Sequence, residues 1–256
     1  MSFCRLSGAE CRRRCPRLPP VPEPAMSSPE PLDPVAALNQ RWALGRPSNS
    51  LAAAGVLMHQ MVHTTGLGDQ PWVTHGTHVS CSLANRHVPW LYSPSAAGVV
   101  LSKHSASAIK CVYASDGGTF KTPDGCGRRA HCTARKWWMC NYPPAQLSSM
   151  LAAHAAHNCK GWNEVIISKA KWERALPQLL EAVFFVRGTS PGRARRLHSQ
   201  MARHFRLPHL LLLSFDPRNA SLPFRLVSPA NLSFDVVESS PHLATLPTRE
   251  SCKPFV

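Results

Sequence analysis

Apolar residues recur along the chain in runs of strand length, separated by polar or glycine-containing segments. The first apolar block, Leu51–His63, contains Gly55, which favours a strand beginning at Val56 over a long helix. Later runs have the length and composition of strands, namely Thr74–Ala84, Ala97–Leu101, Ala108–Tyr113, Asn163–Ser168, Leu180–Val186 and Leu210–Phe215. The Leu180–Val186 run is almost wholly apolar, which predicts a strand covered on both faces.

One pair of neighbouring runs has the pattern of a β-hairpin. Ala97–Leu101 and Ala108–Tyr113 are joined by the polar segment Lys103–Ser107, which predicts a turn between two paired strands. The second run leads into Asp116-Gly117-Gly118, where aspartate tolerates and glycine freely adopts the left-handed conformation of a turn. A second turn is therefore predicted directly after this strand.

Three segments from residue 143 onward have helical periodicity. Pro143 and Pro144 begin the first, in which Leu147, Met150, Leu151 and His154 share one face. The second, Ala170–Leu176, is predicted to end at Pro177, because proline cannot continue the helical hydrogen bonds. The third, Pro191–Phe205, has apolar residues every four positions and arginines mostly elsewhere. Strands alternating with these helices predict an α+β fold: a mixed, mostly antiparallel sheet with helices packed on it.

The composition changes near residue 38. Met1–Pro34 contains eight prolines, which exclude a continuous helix or a central strand, so residues 1–38 are predicted to be a disordered tail. Residues 39–256 are predicted to form a single α+β domain with a cysteine-rich loop at 111–140. No apolar run approaches the roughly 18 residues of a membrane-spanning helix, so no membrane span is expected.

Ten cysteines are present, although a domain of this size does not need cross-links for stability. Four of them crowd into an aperiodic, turn-rich loop: Cys111, Cys126, Cys132 and Cys140. Disulfide bonds are predicted, with three pairings open among these four residues. Zinc binding is the weaker alternative, because the spacing contains no CxxC motif, although His131 beside Cys132 could supply a ligand.

The state of these cysteines determines the expected compartment. Disulfide bonds indicate the secretory pathway or the extracellular space, yet the amino terminus lacks the continuous apolar stretch of a secretory signal. Reduced cysteines would instead fit an organelle or the cytoplasm. Two sequons, Asn219-Ala-Ser and Asn231-Leu-Ser, would accept glycans if the chain enters a secretory lumen.

Positive charge dominates the chain. Lysine and arginine number 29 against 14 acidic residues, giving a net charge of +15 with neutral histidine. Because 24 of the basic and ten of the acidic residues lie in Val35–Val256, the excess belongs to the predicted domain. Such a field favours polyanionic partners such as nucleic acid, anionic lipid or acidic polysaccharide. Nucleic acid is disfavoured, because no recognisable nucleic-acid-binding motif is present.

Two segments, the cysteine-rich loop and the third helix, are predicted to form an anion-binding surface. The candidate residues are Trp137, Trp138, Arg135, Lys136, Arg193 and Arg196. The tryptophans offer flat apolar faces on which sugar rings or bases stack, and the cations can hold sulfate, carboxylate or phosphate. The alternative is that one tryptophan packs on the disulfides and that the arginines form an ordinary solvated helix face.

From Arg46 onward the sequence resembles a family of uncharacterised cysteine-rich proteins from microalgae. The resemblance is carried by RPSNSLAAAGVLMHQ (Arg46–Gln60), CVYASDGGTF (Cys111–Phe120), the cysteines at 126, 132 and 140, and GWNEVIISKAKWERALPQLLEAVFFV (Gly161–Val186). It covers most of the chain behind the predicted tail and so supports the extent of the domain. That family has no assigned activity, so the resemblance implies nothing about chemistry.

A glycan-acting hydrolase is an alternative function. Glycosidase chemistry needs two carboxylates about 5–10 Å apart across a sugar, and Asp116 with Glu164 is the pair predicted for that role. The simpler interpretation is that Asp116 forms a turn and Glu164 pairs with arginines. His59 and His63 stand four apart, as in zinc proteases, but lack the adjacent glutamate base.

Metal binding has one further set of potential ligands, His154, His157 and Cys159. A helix whose last turn is exposed to solvent is the favoured explanation of these residues. No cofactor is predicted, and whether the protein is an enzyme is left open.

The sequence therefore predicts a disulfide-stabilised basic domain that binds an acidic glycan or another polyanion. The glycan-acting hydrolase is one alternative, and a reduced, zinc-bound interaction module is another. Oligomeric state is not indicated by any of these patterns.

Overall fold

The structure is a computed structural model that describes residues 33–60, 76–88, 97–115, 126–127, 140–156 and 162–227. The described elements belong to a compact unit that begins at Asp33. None of the described helices is both long and apolar enough to cross a membrane.

Helices and strands alternate along this unit. The α-helices described are α1 Pro34–Leu44, α2 Leu51–Ala54, α3 Leu147–Ala156, α4 Lys169–Leu179 and α5 Gly192–His204. Two segments, Lys103–Ala108 and Pro144–Gln146, form 3-10 helices. The strands described are β1 Val56–Gln60, β2 His78–Ala84, β3 Ala97–Leu101, β4 Ile109–Tyr113, β5 Asn141–Tyr142, β6 Glu164–Ser168, β7 Leu180–Val186, β8 Leu211–Phe215 and β9 Phe224–Leu226.

The nine described strands form one sheet in the order β5-β4-β6-β2-β1-β3-β7-β8-β9. Every pairing is antiparallel except that of β7 with β8. Those two strands run parallel and are connected through α5, because a parallel pair needs a crossover connection. The sheet is mixed and mostly antiparallel with helices packed on it, so the predicted α+β fold class is confirmed.

Strand residues alternate between two apolar layers. The larger layer lies beneath α3, α4 and α5, and we call this side of the sheet the helical face. The opposite layer is covered by Leu38 and Trp42 of α1, and we call this side the α1 face. In β7, Val183 belongs to the helical face, while Ala182 and Phe184 belong to the α1 face. The prediction of a strand covered on both faces is confirmed.

The predicted hairpin between Ala97–Leu101 and Ala108–Tyr113 is wrong. Both runs contain strands, but β3 lies between β1 and β7, whereas β4 lies between β5 and β6. The polar segment between them is the 3-10 helix Lys103–Ala108, which is capped by the side chain of Ser102. Because this helix carries the chain across the sheet, three other strands separate β3 from β4.

Two helix boundaries differ from the sequence prediction. α4 continues through Pro177 to its end, because Leu176 and Leu179 are buried in the helical-face layer and this packing offsets the hydrogen bond that proline removes. α1 begins at Pro34, ahead of the predicted domain start, and the Asp33 side chain caps it. Proline is well suited to this first position, since its missing N–H has no helical partner there.

Candidate functional site

A disulfide bond fixes one corner of the sheet. Cys111 in β4 is bonded to Cys126 with an S–S distance of 2.05 Å. The adjacent Gly127 donates its backbone N–H to the hydroxyl of Tyr113, and its carbonyl accepts from the side chain of Asn141 in β5. The segment 126–127 is therefore held by β4 and β5, and the disulfide prediction is confirmed for Cys111 and Cys126.

The oxidised cysteines bear on the zinc alternative. Cys140 is buried and also disulfide-bonded, whereas Cys132 lies outside the described residues. Metal binding requires thiolate, so Cys111 and Cys126 cannot act as zinc ligands while they are bonded. Within the described ranges, no group of three or more His, Cys, Asp or Glu side chains could hold a metal ion.

His59, one half of the proposed histidine pair, lies in β1 rather than on a helix. Its Nδ1 is 2.8 Å from the carbonyl oxygen of Ser80, and its ring lies edge-on to Trp172. His63 lies outside the described residues. His59 therefore does not lie on a helix face, where it could bind zinc together with a histidine four residues away.

The loop half of the predicted anion-binding surface lies outside the described residues. The residues of this half are Trp137, Trp138, Arg135 and Lys136. Asp116, the first member of the predicted carboxylate pair, also lies outside the described residues. The described residues include the other half of the surface, on α5, and the second carboxylate, Glu164.

Glu164 is the first residue of β6 and is only 1% exposed. It is the strand partner of Tyr113 in β4. Because side chains alternate along a strand and Val165 points into the helical-face layer, Glu164 points to the opposite side. Burial first, and then the negative charge of Glu164, raise the pKa of Cys81. A carboxylate buried this deeply is not accessible to a polymer in solution.

Glu164 is one of several buried polar residues on the α1 face. Ser82 of β2 and Gln60 of β1 are also buried. Just before Glu164, the side chain of Asn163 donates to the carbonyl of Leu83 at 2.7 Å and accepts from its N–H at 2.9 Å. Sequence reasoning missed the burial of these polar residues, because isolated polar residues in a strand are typical of solvent-facing positions.

α3 packs His154 against the end of β4. The imidazole is 2% exposed, and its Nδ1 lies 2.6 Å from the carbonyl oxygen of Ala114. A carbonyl can only accept, so Nδ1–H is the donor. Burial lowers the pKa of His154, and the hydrogen bond to Ala114 partly opposes this. The expectation of an exposed last turn is wrong at His154, while His157 and Cys159 lie outside the described residues.

The basic helix is α5, and it forms where the sequence predicts it. Ala194, Leu197 and Met201 are buried in the helical-face layer, against β7, β8 and β3. Away from this contact, Arg196 is exposed and Arg193 is half-buried. The helix therefore presents both predicted arginines outside its apolar face.

Arg203 extends this surface. It is exposed and lies seven residues after Arg196, so the two arginines share a helix face about 10 Å apart along the axis. We call Arg193, Arg196 and Arg203 the arginine stripe. Arg203 was not among the predicted binding residues, although its two-turn spacing from Arg196 was the signal that could have identified it.

Little negative charge lies near the arginine stripe in the sequence. The segment Ala182–Phe215 contains no acidic residue. The acids that flank it are paired: Glu181 with Arg41 of α1 at 2.5 Å, and Asp216 with Arg187 at 3.3 Å. The two exposed arginines of the stripe form no ion pair within the part of the chain that the structure describes.

The start of α5 is also positively charged. Its first turn contains no acidic residue, and the N–H of Gly192 donates to the hydroxyl of Ser190 at 3.4 Å. Arg195 and Arg196 lie at the positive end of the helix dipole, where each cation costs about 0.3–1 kcal/mol. In addition, the buried Nε of Arg195 has no hydrogen-bond partner among the described residues. An anion at this end of the helix would offset these costs.

α5 and Glu164 lie on opposite sides of the sheet. α5 packs on the helical face, whereas the side chain of Glu164 points to the α1 face. A single cleft on one face therefore cannot use both groups. No protein-family model matches this sequence, and no curated protein or solved structure matches it.

Proposed function

We propose that this domain binds polyanions, with an acidic glycan as the ligand class, through the arginine stripe of α5. The observation that carries the proposal is the exposure of Arg196 and Arg203 on one helix face without ion-pair partners among the described residues. Their spacing of about 10 Å along the axis would allow one extended polyanion to contact both.

The first turn of α5 supports the same proposal. Arg195 and Arg196 lie at the positive end of the helix dipole, and a bound sulfate or carboxylate group would offset the repulsion between these cations and the dipole. The absence of acidic residues from Ala182–Phe215 means that no nearby carboxylate in this segment competes with the ligand. Trp137 and Trp138 are the proposed stacking half of the surface.

An acidic glycan is proposed rather than nucleic acid, because no nucleic-acid-binding motif accompanies the basic helix. The Cys111–Cys126 disulfide supports an oxidising compartment for this function, where sulfated and carboxylated glycans are the abundant polyanions. We therefore propose the secretory pathway or the extracellular space as the site of action.

Heparin chromatography tests the arginine stripe. Arg196→Glu/Arg203→Glu should elute at lower salt than the unmodified protein, and the slope of log affinity against log salt should fall by about two. Arg46→Glu/Arg86→Glu makes the same charge change at two other exposed arginines and should retain most of the affinity. Equal elution of the two double variants would reject a specific role for α5.

Trp138→Ala tests the stacking half separately. Loss of one stacked ring should weaken binding by about 1–3 kcal/mol per sugar or base contact, with the salt slope unchanged, because no charge is removed. Binding that is unaffected by Trp138→Ala would restrict the surface to the arginines.

The alternative of a glycan-acting hydrolase that uses Asp116 and Glu164 is not favoured, because Glu164 is deeply buried on the face opposite to α5. It can nevertheless be tested directly. Glu164→Gln should abolish cleavage of an acidic oligosaccharide if the hydrolase proposal is correct. Absence of any cleavage by the unmodified protein would reject the hydrolase.

A further inference from the structure

The turn between β8 and β9 is held together by side-chain caps. Asp216 donates its backbone N–H to the carbonyl of Pro223 at 2.8 Å, closing the turn at its base. Within the turn, Oδ1 of Asn219 accepts from the backbone N–H groups of Ser221 at 3.2 Å and Leu222 at 2.9 Å. The asparagine therefore lies in a defined turn of the folded domain.

The arrangement leaves the amide nitrogen of Asn219 available. Its oxygen makes both of the side-chain hydrogen bonds, and Nδ2 makes none within the described residues. Asn219 itself is partly exposed, and its neighbours Arg218, Ala220, Ser221 and Leu222 are all exposed. Asn219-Ala220-Ser221 is also an Asn-X-Ser sequon, the acceptor sequence for N-glycosylation.

We propose that Asn219 is a site of N-linked glycosylation. An oligosaccharide is transferred from a polyprenyl-pyrophosphate-linked donor by a lumenal transferase. A bond forms between Nδ2 of Asn219 and the anomeric carbon of the first sugar, and the bond from that carbon to the pyrophosphate oxygen breaks. The lipid pyrophosphate leaves, and the proton lost by Nδ2 passes to a base of the transferase. This inference is independent of polyanion binding and rests on entry of the chain into a secretory lumen.

Two further observations favour modification of this asparagine. The Cys111–Cys126 disulfide fits the oxidising lumen in which the transfer takes place. Leu222, whose N–H is bonded to Asn219, is 55% exposed, so a glycan attached at Nδ2 begins beside an apolar side chain that the fold leaves uncovered. The glycan would shield that side chain from solvent.

The tryptic map of this chain isolates the site. Trypsin cleaves after Arg218 and Arg225, so the peptide Asn219–Arg225 contains this sequon and no other. The second sequon, at Asn231, falls in a different peptide. Denatured protein purified from the cells that make it should be treated with peptide N-glycosidase in heavy-oxygen water before tryptic digestion, which should convert Asn219 to labelled aspartate. Recovery of Asn219–Arg225 only as the unmodified asparagine peptide would overturn the proposal.

A matched pair of variants separates the glycan from the turn. Ser221 contributes only its backbone N–H to the cap on Asn219, so Ser221→Ala and Ser221→Thr should both leave the turn intact. After secretion from eukaryotic cells, Ser221→Thr should retain the carbohydrate on Asn219–Arg225, and Ser221→Ala should lack it. Equal carbohydrate on this peptide in both variants would contradict the assignment.

Discussion

His154 shows how a buried ionisable side chain makes stability depend on pH. Burial lowers its folded-state pKa below the ordinary value of 6.5, so the unfolded chain binds a proton more readily than the folded one. The free energy of unfolding is therefore fully retained above about pH 6.5 and decreases as the pH falls from there toward the folded-state pKa. The decrease approaches about 1.4 kcal/mol per pH unit at most.

His154→Asn should remove this pH dependence. Asparagine can still donate to the carbonyl of Ala114 but does not titrate in this range. Urea unfolding at pH 7.5 and pH 5.5 should show a smaller loss of stability on acidification in the variant than in the unmodified protein. His204→Gln, at an exposed position, serves as the control and should retain the full loss. An identical loss in His154→Asn would show that another group is responsible.

At the level of elements, a side chain of α1 forms two hydrogen bonds with the backbone of β9, as a neighbouring strand would. The amide nitrogen of Asn39 donates to the carbonyl of Phe224 at 3.0 Å, and its oxygen accepts from the N–H of Phe224 at 2.9 Å. The rings of Trp42, Phe215 and Phe224 pack beside this pairing. α1 therefore covers the α1 face and also fastens the edge strand of the described sheet.

Asn39→Ala should loosen β9. It leaves the buried N–H and C=O of Phe224 without partners, which costs about 1–3 kcal/mol for each group that stays buried. Hydrogen exchange at the Phe224 amide should become faster, because the strand can open more easily. Gln40→Ala, at an exposed position on the same helix, should leave that amide unchanged. Undiminished protection of Phe224 in Asn39→Ala would mean that ring packing alone holds β9.

Individual elements were predictable from the sequence, but their partners were not. The apolar runs at Ala97–Leu101 and Leu180–Val186 coincide with β3 and β7, because strand composition is a local property. The hairpin failed because β4 pairs with β6, which is distant in the chain, and periodicity carries no information about such contacts. The predicted helix end at Pro177 was wrong for a similar reason, because the helix is continued by burial of the neighbouring leucines, which is a tertiary effect.

The candidate site was predictable to a similar degree. α5 and its arginines follow from a local pattern of charge and apolar spacing. The burial of Glu164 does not, because it depends on alternation within a sheet that is covered on both faces. An acidic residue at the start of a strand has the same local signature whether it faces water or a packed layer.

At the scale of the whole molecule, the described disulfide bond links β4 to the segment 126–127. Cys111 and Cys126 are separated by 15 residues in the sequence, and closing a loop of this length stabilises a fold by about 3 kcal/mol. The cross-link acts mainly by restricting the unfolded chain. The hydrogen bonds of Gly127 to Tyr113 and Asn141 hold the same segment.

Cys111→Ala/Cys126→Ala should therefore lower the free energy of unfolding by about 3 kcal/mol, as measured by chemical denaturation under oxidising conditions. Cys81→Ala is the matched control, because it removes a buried sulfur that is not bonded to another cysteine. The control should lose only the packing of one small side chain. If the double variant is destabilised no more than Cys81→Ala, the Cys111–Cys126 bridge does not stabilise the fold.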